Sequence, residues 1–338
     1  MPLISSAKKR KLITELAQML QQRPGPLRLF AKFPLVKQLS RFYIAGEKMS
    51  DAIRVAKEMR AEGKMVTIDH LGEETKRPIQ AEEDAAVYKK LIQAISKEEL
   101  VDHADLSLKL TQVGLNTGEG FCVEKLTEVL ELAQERRVTV WVDMEGSKYT
   151  EGTIKIIEAL RPRFPNLRGV IQAMMKSSNS HVARLLKLGA TIRLCKGAYK
   201  EPPDIAYQHR AGDIRANFLK IVDKQLFPSK IYHGIATHDE FIIKETIKLA
   251  KKHKLTEKDF EFQMLYGVKK ELQDELIKLK YQLRLYVPFG EDWLPYFLRR
   301  VSENPDIAED FTHDLIERLH TEHNIDLHWL HPHFKHRE

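Results

Sequence analysis

Eight short β-rich runs alternate with longer helical patterns after residue 64, and no other feature of the sequence constrains the fold as strongly. Parallel strands need a crossover connection, usually a helix, so this alternation is typical of a parallel sheet. Eight such units favour a closed (βα)8 barrel of the TIM type over an open doubly wound sheet. No G-x-G-x-x-G turn follows the first run, which also argues against a Rossmann domain. The runs are VTIDHLG (66–72), DLSLKL (105–110), VTVWVDM (138–144), GVIQAM (169–174), TIRLCKG (191–197), HGIATHD (233–239), FEFQMLYG (260–267) and QLRLYVPFG (282–290).

Helical patterns precede the barrel, and a histidine-containing segment follows it. Residues 7–20, 28–44 and 49–61 carry apolar side chains at three- and four-residue spacing, which predicts helices. The chain is therefore expected to be an α/β protein in which N-terminal helices precede the barrel. Three parts are predicted: an N-terminal helical segment (1–62), a catalytic barrel (63–304) and a C-terminal helix or tail (305–338).

The pattern within the strands predicts a polar barrel interior. Alternate residues of a barrel strand face in and out, and the outward ones are apolar because they pack on helices. In the fifth run Ile192 and Leu194 take the outward face, which leaves Arg193 inside. Burying an unpaired charge is costly, so a polar ligand is expected at the carboxyl ends of the strands, where such barrels hold their active sites. Further inward polar side chains are predicted at Ser107, Lys109, Thr139, Asp143, Gln172, Thr191, Cys195, Glu261, Gln263, Gln282, Arg284 and Tyr286.

The composition is that of an ordinary soluble domain. The net charge of +7 comes from 55 basic and 48 acidic residues, and the lysines are scattered beside glutamates. This pattern favours solvated helix faces over a nucleic-acid surface. Two cysteines, Cys122 and Cys195, are too few for a disulfide framework or a cysteine-rich metal site. No apolar stretch approaches the roughly 18 residues of a membrane span. A cytoplasmic protein is expected, with any membrane contact peripheral.

Eight strings fall in order at the predicted strand ends and beyond: SLKLTQVGL, VDME, GVIQAM, RLCKGAYKEP, ATHD, EFQMLYG, YVPFG and YFLRRVSEN. Together, over about residues 65–304, they resemble the proline dehydrogenase family in its short bacterial monofunctional form. RLCKGAY and YFLRRVSEN are the most specific of them. The sequence departs from the common pattern at Cys195, where valine is frequent, and at Gly146, where an acidic residue is common.

The resemblance implies a flavoenzyme. Its members oxidise L-proline to 1-pyrroline-5-carboxylate by hydride transfer to FAD, as the first step of proline catabolism to glutamate. A membrane quinone is the expected electron acceptor, and a separate pyrroline-carboxylate dehydrogenase the expected consumer of the product. Arg193 and Asp143 match the catalytic positions, with Arg193 beside the reactive flavin nitrogen and Asp143 orienting Lys109 or the substrate amine.

The resemblance also implies substrate and cofactor contacts. Arg299 and Arg300 match a clamp for the substrate carboxylate, with Lys109 as a third positive group. Tyr199 and Tyr286 match aromatic walls of the proline pocket. The implied FAD contacts are Met144, Gln172, Arg193, Lys196, Gly197, Ala198, Thr237, His238 and Gln263.

The same residues admit other interpretations. Lys109 or Lys196 is also suited to a Schiff base, as in (βα)8 aldolases and lyases. His70, His238 and Asp143 suggest a metal, but the close histidine spacing of metal motifs is missing, so no metal is predicted. A non-enzymatic alternative is RNA binding through lysine-rich helices, which does not explain polar residues gathered at strand ends.

Overall fold

The computed structural model describes residues 40–72, 74–208 and 212–303, and side chains as far as Leu298. Eight parallel strands form a closed barrel in sequence order, and the last strand pairs with the first to close it. The predicted fold class is confirmed. The strands are β1 (Met65–His70), β2 (Ala104–Leu108), β3 (Val140–Val142), β4 (Leu167–Gln172), β5 (Ile192–Cys195), β6 (His233–Ala236), β7 (Phe260–Leu265) and β8 (Gln282–Phe289).

A helix precedes β1, and helices connect successive strands. No helix in the described ranges is long and apolar enough to cross a membrane. A π-helical turn, Val222–Leu226, and a 3₁₀ turn, Phe227–Ser229, extend the connection between β5 and β6. The α-helices are α1 (Met49–Ala61), α2 (Pro78–Lys97), α3 (Glu119–Glu135), α4 (Ser147–Leu160), α5 (Ser178–Lys187), α6 (Asp213–Ile221), α7 (Glu240–Lys252), α8 (Lys270–Lys278) and α9 (Trp293–Glu303).

The chain divides into two compact units. One is Glu47–Gly290, which holds the barrel and α1. The other joins Met1–Gly46 to Glu291–Glu338, and within it the rings of Tyr43 and Phe297 lie 6.0 Å apart. The helix predicted over 49–61 is confirmed as α1. The helix predicted over 7–20, most of that over 28–44 and the tail 305–338 lie outside the described residues, and the three-part division of the chain stays a prediction.

The polar face predicted from strand alternation lies inside the barrel. Arg193 of β5 donates from Nη2 to Thr67 Oγ1 at 3.0 Å and from Nη1 to Ser107 Oγ at 3.2 Å. These bonds cross the interior, because β5 stands opposite β1 in a barrel of eight strands. Ile192 and Leu194, predicted to face outward, are buried. The interior is therefore polar, and the apolar core lies between strands and helices.

A buried neutral histidine at the start of β6 makes stability depend on pH. His233 Nδ1 accepts from Ile192 N at 3.1 Å, and burial lowers the pKa of His233 to about 4. The unfolded chain therefore takes up a proton first, and stability present above pH 6.5 is lost as pH falls toward 4. The loss of folding free energy due to His233 is about 3 kcal/mol between pH 6.5 and pH 4, and about 2 kcal/mol between pH 7 and pH 5.

His233→Asn keeps an acceptor for Ile192 N and removes the titration. Urea unfolding at pH 7 and pH 5 should show a loss of stability on acidification that is about 2 kcal/mol smaller in the variant than in wild type. Equal losses in the two proteins would mean that His233 does not titrate in this range.

Candidate functional site

Arg193 is the centre of the polar network at the carboxyl end of the barrel. Besides its bonds to Thr67 and Ser107, its Nε donates to Gln263 Oε1 at 2.5 Å and its Nη1 to Asp143 Oδ1 at 2.9 Å. The guanidinium also lies over the ring of Trp141, with Cζ 4.4 Å from the ring centroid. Only 4% of the residue is exposed. A cation fixed in this way needs no reorganisation to stabilise negative charge that develops nearby.

Asp143 follows β3 directly and joins Arg193 to Tyr286. Its Oδ1 accepts from Ser107 Oγ at 2.8 Å as well as from Arg193, and its Oδ2 accepts from the Tyr286 hydroxyl at 2.6 Å. Burial, helped by the charge of Asp143, raises the pKa of Tyr286 well above its ordinary value. Tyr286 is therefore a neutral donor at any physiological pH. The structure places Asp143 as the residue that orients an arginine and a tyrosine.

Lys109, which follows β2, pairs with a carboxylate that sequence analysis missed. Its Nζ lies 3.3 Å from both Oδ1 and Oδ2 of Asp69 on β1. Our expectation that Asp143 orients Lys109 did not foresee this partner. The signal was present in the first run, where Thr67 and Asp69 alternate with the apolar Val66 and Ile68.

The loop after β5 is packed tightly against the loop after β4. Gly197 has φ +101°, and a Cβ at this position would lie 2.3 Å from Met174 Sδ and 2.8 Å from Gln172 Oε1. Gln172 itself donates from Nε2 to the carbonyls of Met144 and Glu145, both at 3.0 Å. Glycine is required here on both counts, because L side chains rarely adopt this φ and no space is left for one. The implied cofactor contacts Met144, Gln172 and Gly197 thus belong to one packed unit.

Lys196 lies beside an anion that also binds an arginine. Its Nζ is 2.5 Å from Asp239 Oδ2, which also accepts from Arg215 Nε at 2.8 Å. Burial raises the pKa of Asp239, but its bonds to the two cations outweigh burial, and the pKa lies below its ordinary value. Thr237 Oγ1 accepts from Asp239 N at 3.1 Å. Asp239 and Arg215 were not among the predicted site residues, although Asp239 is the last residue of the sixth predicted run.

The other predicted residues lie around these networks. His238 Nε2 accepts from Leu265 N at 2.9 Å, which occupies one ring nitrogen. Cys195 is a thiol, since burial raises its pKa to about 12. Tyr199 and Ala198 lie in the loop after β5. Arg299 and Arg300 fall on α9, but their side chains lie outside the described residues, so the carboxylate clamp stays a prediction.

The inward charges were expected to lack partners and therefore to require a polar ligand, but they are paired with one another. Arg193 pairs with Asp143, Lys109 with Asp69, and Arg284 with Glu261 at 2.8 Å. These pairs compensate the buried charges without a ligand. Among the described residues, no three His, Cys, Asp or Glu side chains are grouped to hold a metal ion.

Comparisons with known proteins agree with the predicted family. The proline dehydrogenase family profile matches residues 52–313. Proline dehydrogenase 1 of Bacillus subtilis (strain 168) is 37% identical over 276 residues, which cover 82% of this chain and 90% of that protein. Proline dehydrogenase of Deinococcus radiodurans is 32% identical over 288 residues, covering 81% and 92%.

Solved structures of larger proteins share the fold. Proline utilization A from Bdellovibrio bacteriovorus, inactivated by N-propargylglycine, superposes with a TM-score of 0.73 at 22% identity. The match covers 87% of this chain and 35% of that one, so this chain spans about a third of its length. A Bradyrhizobium japonicum counterpart gives a TM-score of 0.68. With the barrel, the ordered strand-end motifs and the family match all present, the chain belongs to the proline dehydrogenase family.

Proposed function

We propose that this protein oxidises L-proline to 1-pyrroline-5-carboxylate with FAD as its cofactor, the first step of proline catabolism to glutamate. The observation that carries the proposal is the buried arrangement of Arg193, Asp143 and Tyr286 at the mouth of the barrel. It is a preorganised cation beside a fixed carboxylate and a neutral phenol, in the place where (βα)8 enzymes hold their active sites.

The residues present fit a flavin dinucleotide. Gly197 lets the loop after β5 pack directly on Met174 and Gln172, which fixes the backbone of the segment proposed to contact the cofactor. Lys196 adds positive charge on the same loop. The bound flavin would supply the two-electron acceptor for the hydride of proline. The residues proposed to hold it are Met144, Gln172, Arg193, Lys196, Gly197, Ala198, Thr237, His238 and Gln263.

Side chains of this protein bind the substrate and stabilise the charge that develops during its oxidation. Lys109, Arg299 and Arg300 bind the substrate carboxylate, since arginine forks match a carboxylate in two parallel bonds. Tyr286 and Tyr199 form the aromatic walls of the pocket. Arg193 stabilises negative charge as the substrate is oxidised, and Asp143 keeps Arg193 and the Tyr286 hydroxyl in place. The amine of proline must be neutral before its lone pair can assist hydride loss.

Two partners are proposed, an electron acceptor and an enzyme that consumes the product. A membrane quinone would reoxidise the cofactor, which places a cytoplasmic enzyme in peripheral contact with the inner face of the membrane. A separate pyrroline-carboxylate dehydrogenase would consume the product. The alternative, a Schiff-base aldolase using Lys109 or Lys196, gains no support from the structure, because each amine is paired with an aspartate.

The test is an absorbance spectrum of the protein loaded with FAD, recorded anaerobically before and after L-proline is added. The oxidised-flavin absorbance bands at about 380 and 450 nm should bleach when L-proline is added. Cyclopentanecarboxylate, which has the same ring size and carboxylate but no amine, is the control and should perturb the bands without bleaching them. Bands that proline leaves oxidised would overturn the proposed substrate, and failure to take up FAD would overturn the proposed cofactor.

A further inference from the structure

The pair formed by Asp69 and Lys109 is the most deeply buried ion pair beside the proposed substrate pocket. The side chain of Asp69 is 1% exposed and that of Lys109 12% exposed. Both carboxylate oxygens lie at the same 3.3 Å from the ammonium, so the carboxylate faces Nζ squarely. Asp69 stands on a strand, whereas Lys109 follows the end of one. The aspartate is thus the rigid partner, and the long lysine side chain is the one that needs to be held.

Asp69 has titratable neighbours on several of the elements around it. Besides burial, the charge of Lys109 lowers the pKa of Asp69 and the charge of Asp143 raises it, while Tyr286, whose hydroxyl donates to Asp143, also lowers it. On α2, burial raises the pKa of Tyr88, and the charge of Asp69 adds to the rise. Arg193 reaches the same strand through Thr67, two residues before Asp69. Among the described residues, two ion pairs therefore lie side by side here, Lys109 with Asp69 and Arg193 with Asp143.

We infer that Asp69 is a positioning residue for substrate binding: it holds the Lys109 ammonium in place and keeps it charged, so that Lys109 can bind the carboxylate of proline. The inference rests on the proposed function, because it takes Lys109 as a carboxylate partner. An ammonium that is almost buried keeps its proton only if an anion compensates for the lost hydration. The substrate carboxylate cannot be that anion before it arrives, so the site needs one of its own.

This role gives substrate binding a characteristic dependence on pH. Burial raises the pKa of Asp69 to about 6, although Lys109 opposes the rise, while Asp143 adds to it. Because the pKa is raised, Asp69 is ionised above about pH 6 and protonated below it. The ion pair that holds Lys109 in place is therefore present only on the alkaline side of this value. Carboxylate binding should weaken as pH falls through it.

Calorimetric titration with cyclopentanecarboxylate tests the inference, because this ligand has no amine and needs no turnover. The Kd is measured for wild type and Asp69→Asn from about pH 5.5 to about pH 9. Protonation of the ligand is common to both proteins and cancels in the ratio of their Kd values. The ratio of variant to wild type should be near one at the acid end, rise through pH 6, and reach about tenfold at pH 8.

Three further variants sharpen the result. Asp69→Glu keeps the charge and should recover most of the binding at pH 8. In a Lys109→Met background, Asp69→Asn should change the Kd little at any pH, since its effect passes through Lys109. Asp105→Asn neutralises another buried barrel aspartate, one that accepts from Trp141 Nε1, and should leave the profile unchanged.

A ratio that stays at one, or falls below one at pH 8, would overturn the inference. A value below one would mean that Asp69 competes with the ligand for Lys109. If Asp69→Asn fails to fold, Lys109→Met decides the question, since its Kd relative to wild type should rise through the same pH. Loss of proline oxidation in wild type would overturn the proposed function alone, because the calorimetry measures binding.

Discussion

Replacing Arg193 by alanine should lower kcat/KM for L-proline by about three orders of magnitude, with most of the loss in kcat. The guanidinium is held by Gln263, Ser107, Asp143 and Thr67, so its charge stands in one position before any substrate arrives. A preorganised charge of this kind acts on the transition state more than on the bound substrate. The measurement is steady-state turnover of FAD-loaded protein with a soluble dye as electron acceptor.

A loss of folding must be separated from a loss of catalysis, because Arg193→Ala leaves Asp143 without its cation. The double variant Arg193→Ala/Asp143→Asn removes both charges, so it should melt at a higher temperature than the single variant while remaining as slow. Arg184→Ala, which deletes an arginine paired with Glu158 on the outer helices, is the matched control and should turn over like wild type. Recovery of turnover in the double variant would contradict a catalytic role for Arg193.

The fold could be predicted from the sequence because two patterns indicate the same barrel. One is the alternation of apolar and polar residues within each strand, and the other is the alternation of strands with helices along the chain. Outward positions such as Ile192 and Leu194 must be apolar to pack on helices, so alternation within each run also indicates which residues face inward. The order of strands follows from the connections, since a strand–helix–strand unit places neighbouring strands side by side. Sequence reasoning therefore gave the barrel, the strand positions to within a few residues and the inward face of β5.

The pairing of the inward charges could not be predicted in the same way. Alternation shows that a side chain points inward, but its height in the barrel depends on the stagger between strands. Arg193 thus reaches across to Thr67, and Lys109 meets Asp69 on a strand for which no inward set had been derived. Arg284 and Glu261 were predicted only to face inward, and they form a second network with Asp105 nearer the amino ends of the strands.

The network of Arg284, Glu261 and Asp105 should contribute to stability and not to catalysis. Arg284 donates from Nε to Glu261 Oε1 at 2.8 Å and from Nη1 to the carbonyl of Val66 at 2.9 Å, and it lies 3.2 Å from Asp105 Oδ2. Glu261 is fully buried. Burial raises the pKa of Glu261, but the charge and hydrogen bond of Arg284 outweigh burial, and the pKa lies below its ordinary value. Arg284 therefore keeps a fully buried carboxylate ionised.

Arg284→Met should destabilise the protein by about 3–5 kcal/mol, because it leaves a buried carboxylate without its cation. The largest effect opposing burial at Glu261 is then lost, although Arg168 and Tyr232 remain, so the pKa of Glu261 rises and the deficit grows as pH increases. Chemical denaturation at pH 5 and pH 8 should show the larger loss at pH 8. Glu261→Gln in the same background removes the stranded charge and should restore part of the stability.

Turnover by the Arg284 and Arg193 double variants distinguishes a structural role from a catalytic one. Arg284→Met/Glu261→Gln should turn over proline at a rate near that of wild type at temperatures where it is folded, because Gln263 still has Arg193 as a partner on its other side. Arg193→Ala/Asp143→Asn should instead fold and remain slow. If the Arg284 double variant folds but loses turnover, the lower network also sets the position of Arg193 through Gln263, and the barrel interior acts as one unit.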